Sequence, residues 1–415
     1  MLLLKKTVDF FNSAGIINTG INGENGISYQ DLTMQKIISS RTGVIIKQPT
    51  GYSAFIPHKL SENSFKLKKD SEYETLLSEA SIALGELKGI TKIVPDPDLF
   101  VAFYIRKEAL LSAQIEGTEC SLDKIIQVEE ESKQFKPVHE VVNYIDAMNY
   151  GLERLKEFPM SLRLINEIHE RLLSDVRGEE RAPGEYKKYQ NWIGFPGCQL
   201  HEAAFIPPPP LMIAELMGDF EKYYYMSDES PVLVKAAILH AHFETIHPYA
   251  DGNGRLGRLL ITFILCQRKV LESPILYLSL FFKENRQTYY DMLMNIRFKG
   301  EWEAWVKFFL RGVRNTSQEA VQTASDILAL FKLDREKISN YLAKYQVAFP
   351  CYDLLCHHPI LTITRAVKEL DSNYPSIKNI FDAFIKLGIM DPYDKKERNR
   401  SFQYSKYLEL LRRGT

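Results

Sequence analysis

The sequence has few cysteines, and none is spaced for a disulfide framework or a zinc finger. Five occur in 415 residues, an odd number, and no two form a C-x-x-C pair. This usage argues against a disulfide-stabilised secreted protein and fits a reducing cytosol. The scattered positions are Cys120, Cys198, Cys266, Cys351 and Cys356.

Long hydrophobic runs are also lacking. The most apolar run, Leu259 to Cys266, is bracketed by Arg258 and Arg268. It is much shorter than the roughly 20 residues that a membrane-spanning helix needs. The apolar patch that follows Met1 has the wrong order and too little length for a signal peptide. We therefore expect no membrane association and a cytoplasmic location.

An excess of either charge is missing as well. Lys and Arg together number 52, and Asp and Glu together number 53. This balance carries no global signature of nucleic-acid or membrane binding, although it leaves room for a local patch. With 45% hydrophobic and 25% charged residues, the composition is that of a globular protein, and the length predicts two or three domains.

The spacing of apolar residues predicts a mainly α protein. Short extended segments are expected at Gly43–Ile46 and Gly51–Pro57, and the period becomes helical from Ser71 and again after Pro97. Further helices are predicted at about 122–133, 138–156, 161–175, 253–269, 283–298, 302–313 and 316–345, and others begin near Leu211 and Pro231. Ser121 is the candidate N-cap of the first of these helices, and Ser230 that of the helix at Pro231.

The most informative segment is His247-Pro-Tyr-Ala-Asp-Gly-Asn-Gly-Arg-Leu-Gly-Arg258. Pro248 ends the preceding helix, and a glycine-rich loop then leads directly into the next one. Such a junction directs backbone N–H groups and the positive end of the helix dipole towards one point, which favours phosphate binding.

The side chains of this segment supply the chemistry of phosphate transfer. Arg255 and Arg258 are three residues apart, hence on one helix face, and both can bind phosphate oxygens. Asp251 offers a hard oxygen ligand that suits magnesium. His247, with an ordinary pKa of about 6.5, is a usable base near neutral pH.

This segment resembles the signature of the Fic family, H-P-F-x-(D/E)-G-N-G-R-x-x-R. Tyr249 replaces the usual phenylalanine, and every chemical position matches. The resemblance implies a protein adenylyltransferase (AMPylator). Such an enzyme transfers AMP from ATP to a Ser, Thr or Tyr hydroxyl of a target protein or of itself.

The resemblance also implies a role for each residue. His247 would deprotonate the target hydroxyl, Asp251 would hold Mg²⁺ on the α- and β-phosphates, and the two arginines would neutralise the departing pyrophosphate. The anion hole would consist of Gly252, Asn253 and Gly254. The ATP site would further include Glu116, Ile206, Leu256, Gly257, Asn285 and Tyr289.

Two further stretches resemble the same family. Two strands are predicted at Tyr189–Gly194 and Gly197–Ile206. Within them, the stretch from Asn191-Trp-Ile-Gly194 through Phe205-Ile-Pro-Pro-Pro-Pro210 resembles a hairpin flap that holds the target by strand pairing. The prolines alone would fit a linker or an SH3-type ligand equally well. Asn285 and Tyr289 resemble the helix that borders the adenine, and their spacing lets both face one pocket.

A third stretch, Ser112-Ala-Gln-Ile-Glu-Gly117, resembles the family's inhibitory motif, (S/T)-x-x-x-E-(G/N). The resemblance implies that Glu116 pairs with Arg258 and keeps the γ-phosphate of ATP out of its productive place. Ser112 lies one turn before Glu116, and Gly117 is a typical helix stop. The alternative for Glu116 is a solvated glutamate at a helix end.

The remaining histidines and the C-terminal segment carry weaker signals. His240, His242 and His247 are not spaced for a zinc site, so we expect the first two to be packing or hydrogen-bonded residues. Residues 349–415 resemble a winged helix, a module that binds DNA in many proteins and serves as a docking or dimer surface in others. Basic residues moderately outnumber acidic ones after Ser376.

Together these features predict a Fic-fold helical bundle with a small β-hairpin flap and a C-terminal winged-helix-like domain. The predicted division is an unassigned extension (1–48), a Fic N-terminal region with the inhibitory helix (49–135), a catalytic core (136–315), a helical linker (316–348) and the C-terminal module (349–415). The resemblance also implies a homodimer. The alternatives are a nucleotide-sensing, DNA-binding transcriptional regulator and an enzyme that removes AMP at the same site.

Overall fold

The computed structural model describes residues 36–62, 66–94, 97–120, 136–174, 182–227, 230–393 and 400–413. Within these ranges the chain is mainly helical and has two small antiparallel sheets, as the sequence predicts. No helix in these ranges is long and apolar enough to cross a membrane. The helix predicted at 122–133 and its candidate cap Ser121 lie outside the described residues.

The N-terminal sheet consists of β1 (Lys36–Ser39), β2 (Gly43–Lys47) and β3 (Ser53–Pro57), in that order. Strands β2 and β3 confirm the two predicted extended segments. The predicted boundary between residues 48 and 49 falls in the turn between them, although they pair along their whole length. The amide of Phe55 in β3 donates to the carbonyl of Ile206 at 2.9 Å, so this sheet is joined to the segment predicted as the flap.

The first helices follow their sequence signals closely. They are α1 (Ser71–Thr91), α2 (Pro97–Ile115), α3 (Lys136–Glu157) and α4 (Leu162–Leu172). Asp70 caps α1 and Ser161 caps α4, each through its side-chain oxygen.

The next helices are α5 (Pro210–Tyr225), α6 (Val232–Ile246), α7 (Asn253–Gln267), α8 (Ser279–Glu284), α9 (Arg286–Lys299) and α10 (Trp302–Leu342). Helix α6 is buried from Leu233 to Ile246, and most of α7 is buried too. A helix that is apolar on all sides belongs at the centre of the core. The loop 247–252 is thus held between two immobilised helices.

Three helix boundaries differ from the prediction. Pro231, rather than Ser230, is the N-cap of α6. The helix predicted at 283–298 is two helices that meet at Asn285, whose ψ of 34° is not helical. The helices predicted at 302–313 and 316–345 are one, because Thr316 donates its hydroxyl back to the carbonyl of Gly312 at 2.8 Å instead of capping a new helix.

The C-terminal segment contains α11 (Ala348–His357), β4 (Ile360–Thr362), α12 (Ile363–Glu369), α13 (Tyr374–Lys386), β5 (Asp391–Pro392), β6 (Ser401–Gln403) and α14 (Ser405–Arg412). Its sheet has the order β4-β6-β5. Strands β5 and β6 follow α13 and pair antiparallel, and the resemblance of this segment to a winged helix stays a prediction. Tyr404 donates its hydroxyl to the fully buried Asp334 of α10 at 2.7 Å, so the end of α10 packs into this segment. The five-part domain division stays a prediction.

Candidate active site

The loop between α6 and α7 has an unusual backbone at both ends. His247 is the C-cap of α6 and Gly252 is the N-cap of α7, and both adopt the left-handed conformation, with φ of 50° and 75°. A left-handed backbone costs a non-glycine residue on the order of 1–2 kcal/mol. The side chain of Asn253 bridges the loop, because it accepts from the Tyr249 amide at 2.9 Å and donates to the Tyr249 carbonyl at 2.8 Å.

His247 is a neutral imidazole with access to solvent. About a fifth of its side chain, 19%, is exposed. Burial of the rest, and then the positive charges of Lys187 and Arg297, lower its pKa to about 3. The ring is therefore uncharged at neutral pH, and in this arrangement its lowered pKa makes it a weaker base than a free imidazole.

A buried carboxylate lies beneath this histidine. Glu244 is 8% exposed, and its Oε2 is 3.9 Å from His247 Nδ1. Burial raises the pKa of Glu244 to about 7, although Arg258 and Arg297 oppose the rise. A Cβ atom on Gly257 would stand only 2.5 Å from Glu244 Oε1, so the glycine at this motif position makes room for the carboxylate.

The N-terminus of α7 is built to receive an anion. Gly252, Asn253 and Gly254 form its first turn, where backbone N–H groups have no partner within the helix. Arg255 is 5% exposed, and its Nη1 has no hydrogen-bond partner among the described residues. A desolvated cationic donor without a partner is costly, and an anionic ligand would remove that cost.

The second arginine already has an anionic partner. Arg258 Nη2 donates to Glu116 Oε1 at 2.7 Å, and Arg258 also donates to the side chain and the carbonyl of Ser112, at 2.8 and 3.0 Å. Gly117 ends this stretch with a φ of 92°. The Glu116 carboxylate reaches over the N-terminus of α7, since a Cβ atom on Gly254 would be 2.3 Å from its Oε1. The structure thus brings Ser112 and Glu116 to Arg258, and Gly117 ends the helix that carries them.

Asp251 is held in place by His169, a residue that no sequence pattern predicted for the site. Its carboxylate accepts from the Gly252 amide at 2.7 Å. Its carbonyl is 3.0 Å from Nε2 of His169, which must carry the proton there because Nδ1 accepts from the Gly184 amide at 2.9 Å. His169 also stacks on Tyr249 at 3.8 Å. No motif or spacing marks His169, because α4 is remote from the loop in sequence.

The chemistry of Asp251 fits a magnesium ion that is bound mainly by phosphate. The described residues contain no group of three or more His, Cys, Asp or Glu side chains that could hold a metal by themselves. One carboxylate next to an anion site is the arrangement expected where Mg²⁺ takes its other ligands from phosphate and water.

The two residues predicted to border the adenine, Asn285 and Tyr289, differ in their burial and in their hydrogen-bond partners. Asn285 is half-buried at the junction of α8 and α9, and its amide donates to the Phe281 carbonyl at 3.0 Å. Tyr289 is 1% exposed, and its hydroxyl is 2.9 Å from Nε2 of His240. His240 also contacts the Gly257 carbonyl, at 2.9 Å, and is a hydrogen-bonded core residue as expected. The contact of Asn285 and Tyr289 with nucleotide stays a prediction.

The predicted flap is less regular than expected. Ile193 and Phe205 form a single antiparallel bridge with reciprocal hydrogen bonds of 2.9 and 3.1 Å. The two longer predicted strands were wrong in extent, because a 3₁₀ turn at Leu200–Glu202 and Pro196 interrupt the ladder. Ile206 follows this bridge and is half-buried.

These observations define a mainly helical protein in which a neutral histidine and a carboxylate lie beside a helix N-terminus suited to an anion. Comparison with known families agrees. Residues 74–153 match the Fic/DOC family N-terminal model, and residues 159–265 match the Fic/DOC family model. Residues 74–153 and 159–265 are therefore the part of this chain that belongs to the Fic family.

Individual relatives are distant. The chain is 30% identical over 178 residues to a probable protein adenylyltransferase of Aquifex aeolicus, which is 41% of this chain and 51% of that protein. It is 26% identical over 224 residues to the protein adenylyltransferase Fic of Drosophila sechellia, which is 52% of this chain and 42% of that protein. The chain thus spans about half the length of these relatives, or less.

A solved structure shares the fold. A Fic family protein from Desulfovibrio desulfuricans G20 superposes with a TM-score of 0.54 at 20% identity, over 81% of this chain and 97% of that one.

Proposed function

We propose that this chain is a protein adenylyltransferase that transfers AMP from ATP to a Ser, Thr or Tyr hydroxyl of a target protein or of itself. The observation that carries the proposal is one contiguous site. A neutral, partly exposed His247 adjoins a helix N-terminus where Arg255 has an unpartnered buried nitrogen. The names of the relatives, which are 26–30% identical, support the same activity.

In the proposed reaction, the oxygen of the target hydroxyl attacks the α-phosphorus of ATP. His247 takes the hydroxyl proton as the new P–O bond forms. The bond between the α-phosphorus and the bridging oxygen breaks, and pyrophosphate leaves with that electron pair. Arg255 and Arg258 neutralise the charge on the leaving group, and the backbone N–H groups of the α7 N-terminus bind the phosphates.

The rest of the ATP site is proposed from position. A magnesium ion on the phosphates would be held by Asp251 and would supply charge neutralisation. Leu256 and Gly257 lie in the first turns of α7 behind the anion site. Ile206, Asn285 and Tyr289 are proposed to border the nucleoside, and the flap to pair with an extended segment of the target.

Glu116 is proposed to be an autoinhibitory residue. Its carboxylate occupies Arg258 and covers the N-terminus of α7, which is the place of a terminal phosphate. The carboxylate and a γ-phosphate cannot both bind the same guanidinium edge, and their like charges repel. ATP would then bind in an unproductive position until Glu116 moves away.

The test is incubation of purified wild type, Glu116→Gly and Glu116→Gly/His247→Ala with Mg²⁺ and ATP labelled at the α- or the γ-phosphate, followed by denaturing gel autoradiography. Label from the α-position on Glu116→Gly, absent from the double variant and from the γ-label lanes, is expected. No label on any protein while ATP binding is intact would reject the transfer. Release of AMP from a pre-modified protein would show the reverse reaction instead.

The control for the charge change is Glu119→Gly. Glu119 lies three residues after Glu116, is exposed, and has the same charge. It should leave labelling at the wild-type level, so activation by Glu116→Gly alone would identify the Arg258 contact as the cause.

DNA contact through the C-terminal segment is a second, separate proposal. It is supported by the order of α12, α13 and the β5–β6 hairpin, and by the exposed Lys378 and Lys386 on α13. Gel retardation at low salt that requires residues 349–415 but not His247 is expected. Unchanged DNA mobility at low salt would reject it.

A further inference from the structure

The segment that leads into the Ile193–Phe205 bridge of the flap, residues 187–191, contacts the backbone of the loop 247–252. We call it the flap base. The side-chain amide of Asn191 donates to the carbonyl of Tyr249 at 2.8 Å and to that of His247 at 3.3 Å. The backbone amide of Lys187 donates to the carbonyl of Pro248 at 2.9 Å. Three consecutive carbonyls of the loop thus accept hydrogen bonds from two residues of the flap base.

Those contacts fall where the backbone needs external support. His247 has φ of 50° and ψ of 60°, a conformation that a non-glycine residue keeps only when its surroundings enforce it. Helix α6 supplies one constraint, since the His247 amide donates to the Phe243 carbonyl at 2.9 Å. On the C-terminal side, the carbonyls of residues 247–249 accept hydrogen bonds from Asn191 and Lys187, which belong to neither the loop nor α7.

The flap base is itself fixed. The ammonium of Lys187 donates to the Asn191 side-chain oxygen at 2.6 Å, which orients the amide so that its N–H groups face the loop. Lys187 is 4% exposed, so this bond is shielded from water. Two residues further on, Ile193 enters the flap bridge with Phe205.

We propose that Asn191, oriented by Lys187, is a positioning residue that holds His247 in its left-handed conformation and couples placement of the flap to placement of the base. This inference rests on the proposed role of His247 as the base. It gives the flap a second task besides pairing with the target, because movement of Ile193 is transmitted through Asn191 to the histidine.

The charges around His247 agree with this arrangement. Arg297 on α9 is positive, Lys187 on the flap base has a pKa that burial lowers to about 7, and Glu244 on α6 is a carboxyl group. Burial, and then the charges of Lys187 and Arg297, lower the pKa of His247 to about 3. Release of the loop would expose the imidazole, and its pKa would rise towards its ordinary value of about 6.5.

The test uses the full chain with Glu116→Gly as the active parent. Asn191→Asp keeps the size of the side chain and the bond to Lys187 but loses the donor, and Asn191→Ala loses both. For both variants we expect kcat of AMP transfer to fall about tenfold or more while the Kd of ATP stays within about twofold, since misplacing a reactive group costs rate rather than affinity. Thermal unfolding confirms that each variant is folded.

The matched control is Gln190→Ala. The side-chain amide of Gln190 donates to the carbonyls of Pro207 and Asn191, both at 2.9 Å, so it holds the flap rather than the loop. We expect its main effect in the KM of the target protein and a smaller loss of kcat than in Asn191→Asp, since the bonds of Asn191 to the loop stay in place. Equal loss of kcat in Gln190→Ala and Asn191→Asp would overturn the assignment to the loop.

A readout without turnover separates this inference from the proposed function. The imidazole ¹⁵N resonances of His247, identified by their absence in His247→Gln, report its pKa and tautomer. The pKa should rise in Asn191→Ala, which removes both hydrogen bonds to the loop without changing any charge near the imidazole. An unchanged His247 titration together with unchanged kcat overturns the inference. A parent that transfers no AMP overturns the proposed function instead, and the titration still decides the positioning role.

Discussion

Arg258 Nη2 and Glu116 Oε1 are 2.7 Å apart, in a pair whose arginine is 2% exposed and whose glutamate is 40% exposed. The guanidinium is therefore fixed in the core, while the carboxylate approaches from the solvent side at the end of α2. The pair is asymmetric, because only Glu116 can leave without unpacking the protein. A ligand that competes for Arg258 needs to displace a surface side chain alone.

The contact of Ser112 with Arg258 should tune this inhibition. Ser112 is fully buried and accepts from Arg258 Nε at 2.8 Å. In Ser112→Ala that donor loses its partner, so the guanidinium is oriented less well towards Glu116. We expect the Arg258–Glu116 pair to weaken by about 1 kcal/mol, which is roughly fivefold in the equilibrium between the paired and unpaired states. We expect AMP transfer above wild type but below Glu116→Gly, measured by α-labelled ATP under identical conditions. Activity equal to wild type would show that Ser112 only packs.

His169 should support the loop by hydrogen bonds rather than by stacking. His169→Phe keeps an aromatic ring against Tyr249 but loses the bonds to the Asp251 carbonyl and the Gly184 amide. We expect kcat in a Glu116→Gly background to fall about tenfold or more, because Asp251 is no longer fixed. His201→Phe, on an exposed turn, is the control. Full activity of His169→Phe would assign the constraint to stacking alone.

Gly257→Ala should destabilise the core beneath the site. The added Cβ would lie 2.5 Å from Glu244 Oε1 and 3.2 Å from the Phe243 ring, so the buried Glu244 side chain would have to shift within the core. Overpacking of this kind lowers the free energy of unfolding by about 1–3 kcal/mol. Gly218→Ala in α5, where nothing lies within 4 Å, should stabilise by about 0.5–1 kcal/mol instead. Denaturant unfolding measures the free energy of unfolding of both variants, and similar midpoints for the two would contradict this prediction.

The buried histidines should make the fold sensitive to acid. Burial lowers the pKa of His169 and of His242 to about 4, below the ordinary value of about 6.5 in the unfolded chain. As pH falls below about 6.5, these histidines bind protons in the unfolded chain but stay neutral in the folded chain, so the free energy of unfolding decreases down to about pH 4. Each such histidine contributes at most about 1.4 kcal/mol per pH unit in that window.

The measurement for this prediction compares the wild type with His242→Gln, which does not titrate. Chemical unfolding at pH 7.5, 6 and 5 should show a smaller loss of stability in the variant over the same range. Equal slopes would mean that His242 does not stay neutral in the folded protein. Because His242 lies on α6 away from the phosphate contacts, its effect should appear in stability and not in ATP affinity.

Much of the fold follows from local rules. Helices α1 to α4 begin at the predicted residues, with deviations of a few positions, because the 3.6-residue period, prolines and capping side chains act within a few residues of each other. The same rules failed at α10, where Thr316 and Ser317 look like the start of a helix but are buried inside one. They also failed at the flap, whose single bridge depends on its surroundings more than on its own sequence.

The candidate catalytic segment His247–Arg258 can be recognised from the sequence alone, because its residues are consecutive and its chemistry follows from the residue types. The resemblance of Ser112–Gly117 to an inhibitory motif was legible for the same reason. The contact between Glu116 and Arg258, and the hydrogen bonds of His169 and Asn191 to carbonyls of the loop, depend on the tertiary structure. Those contacts join residues 56 to 142 positions apart, and such contacts are set by how whole helices pack rather than by spacing along the chain.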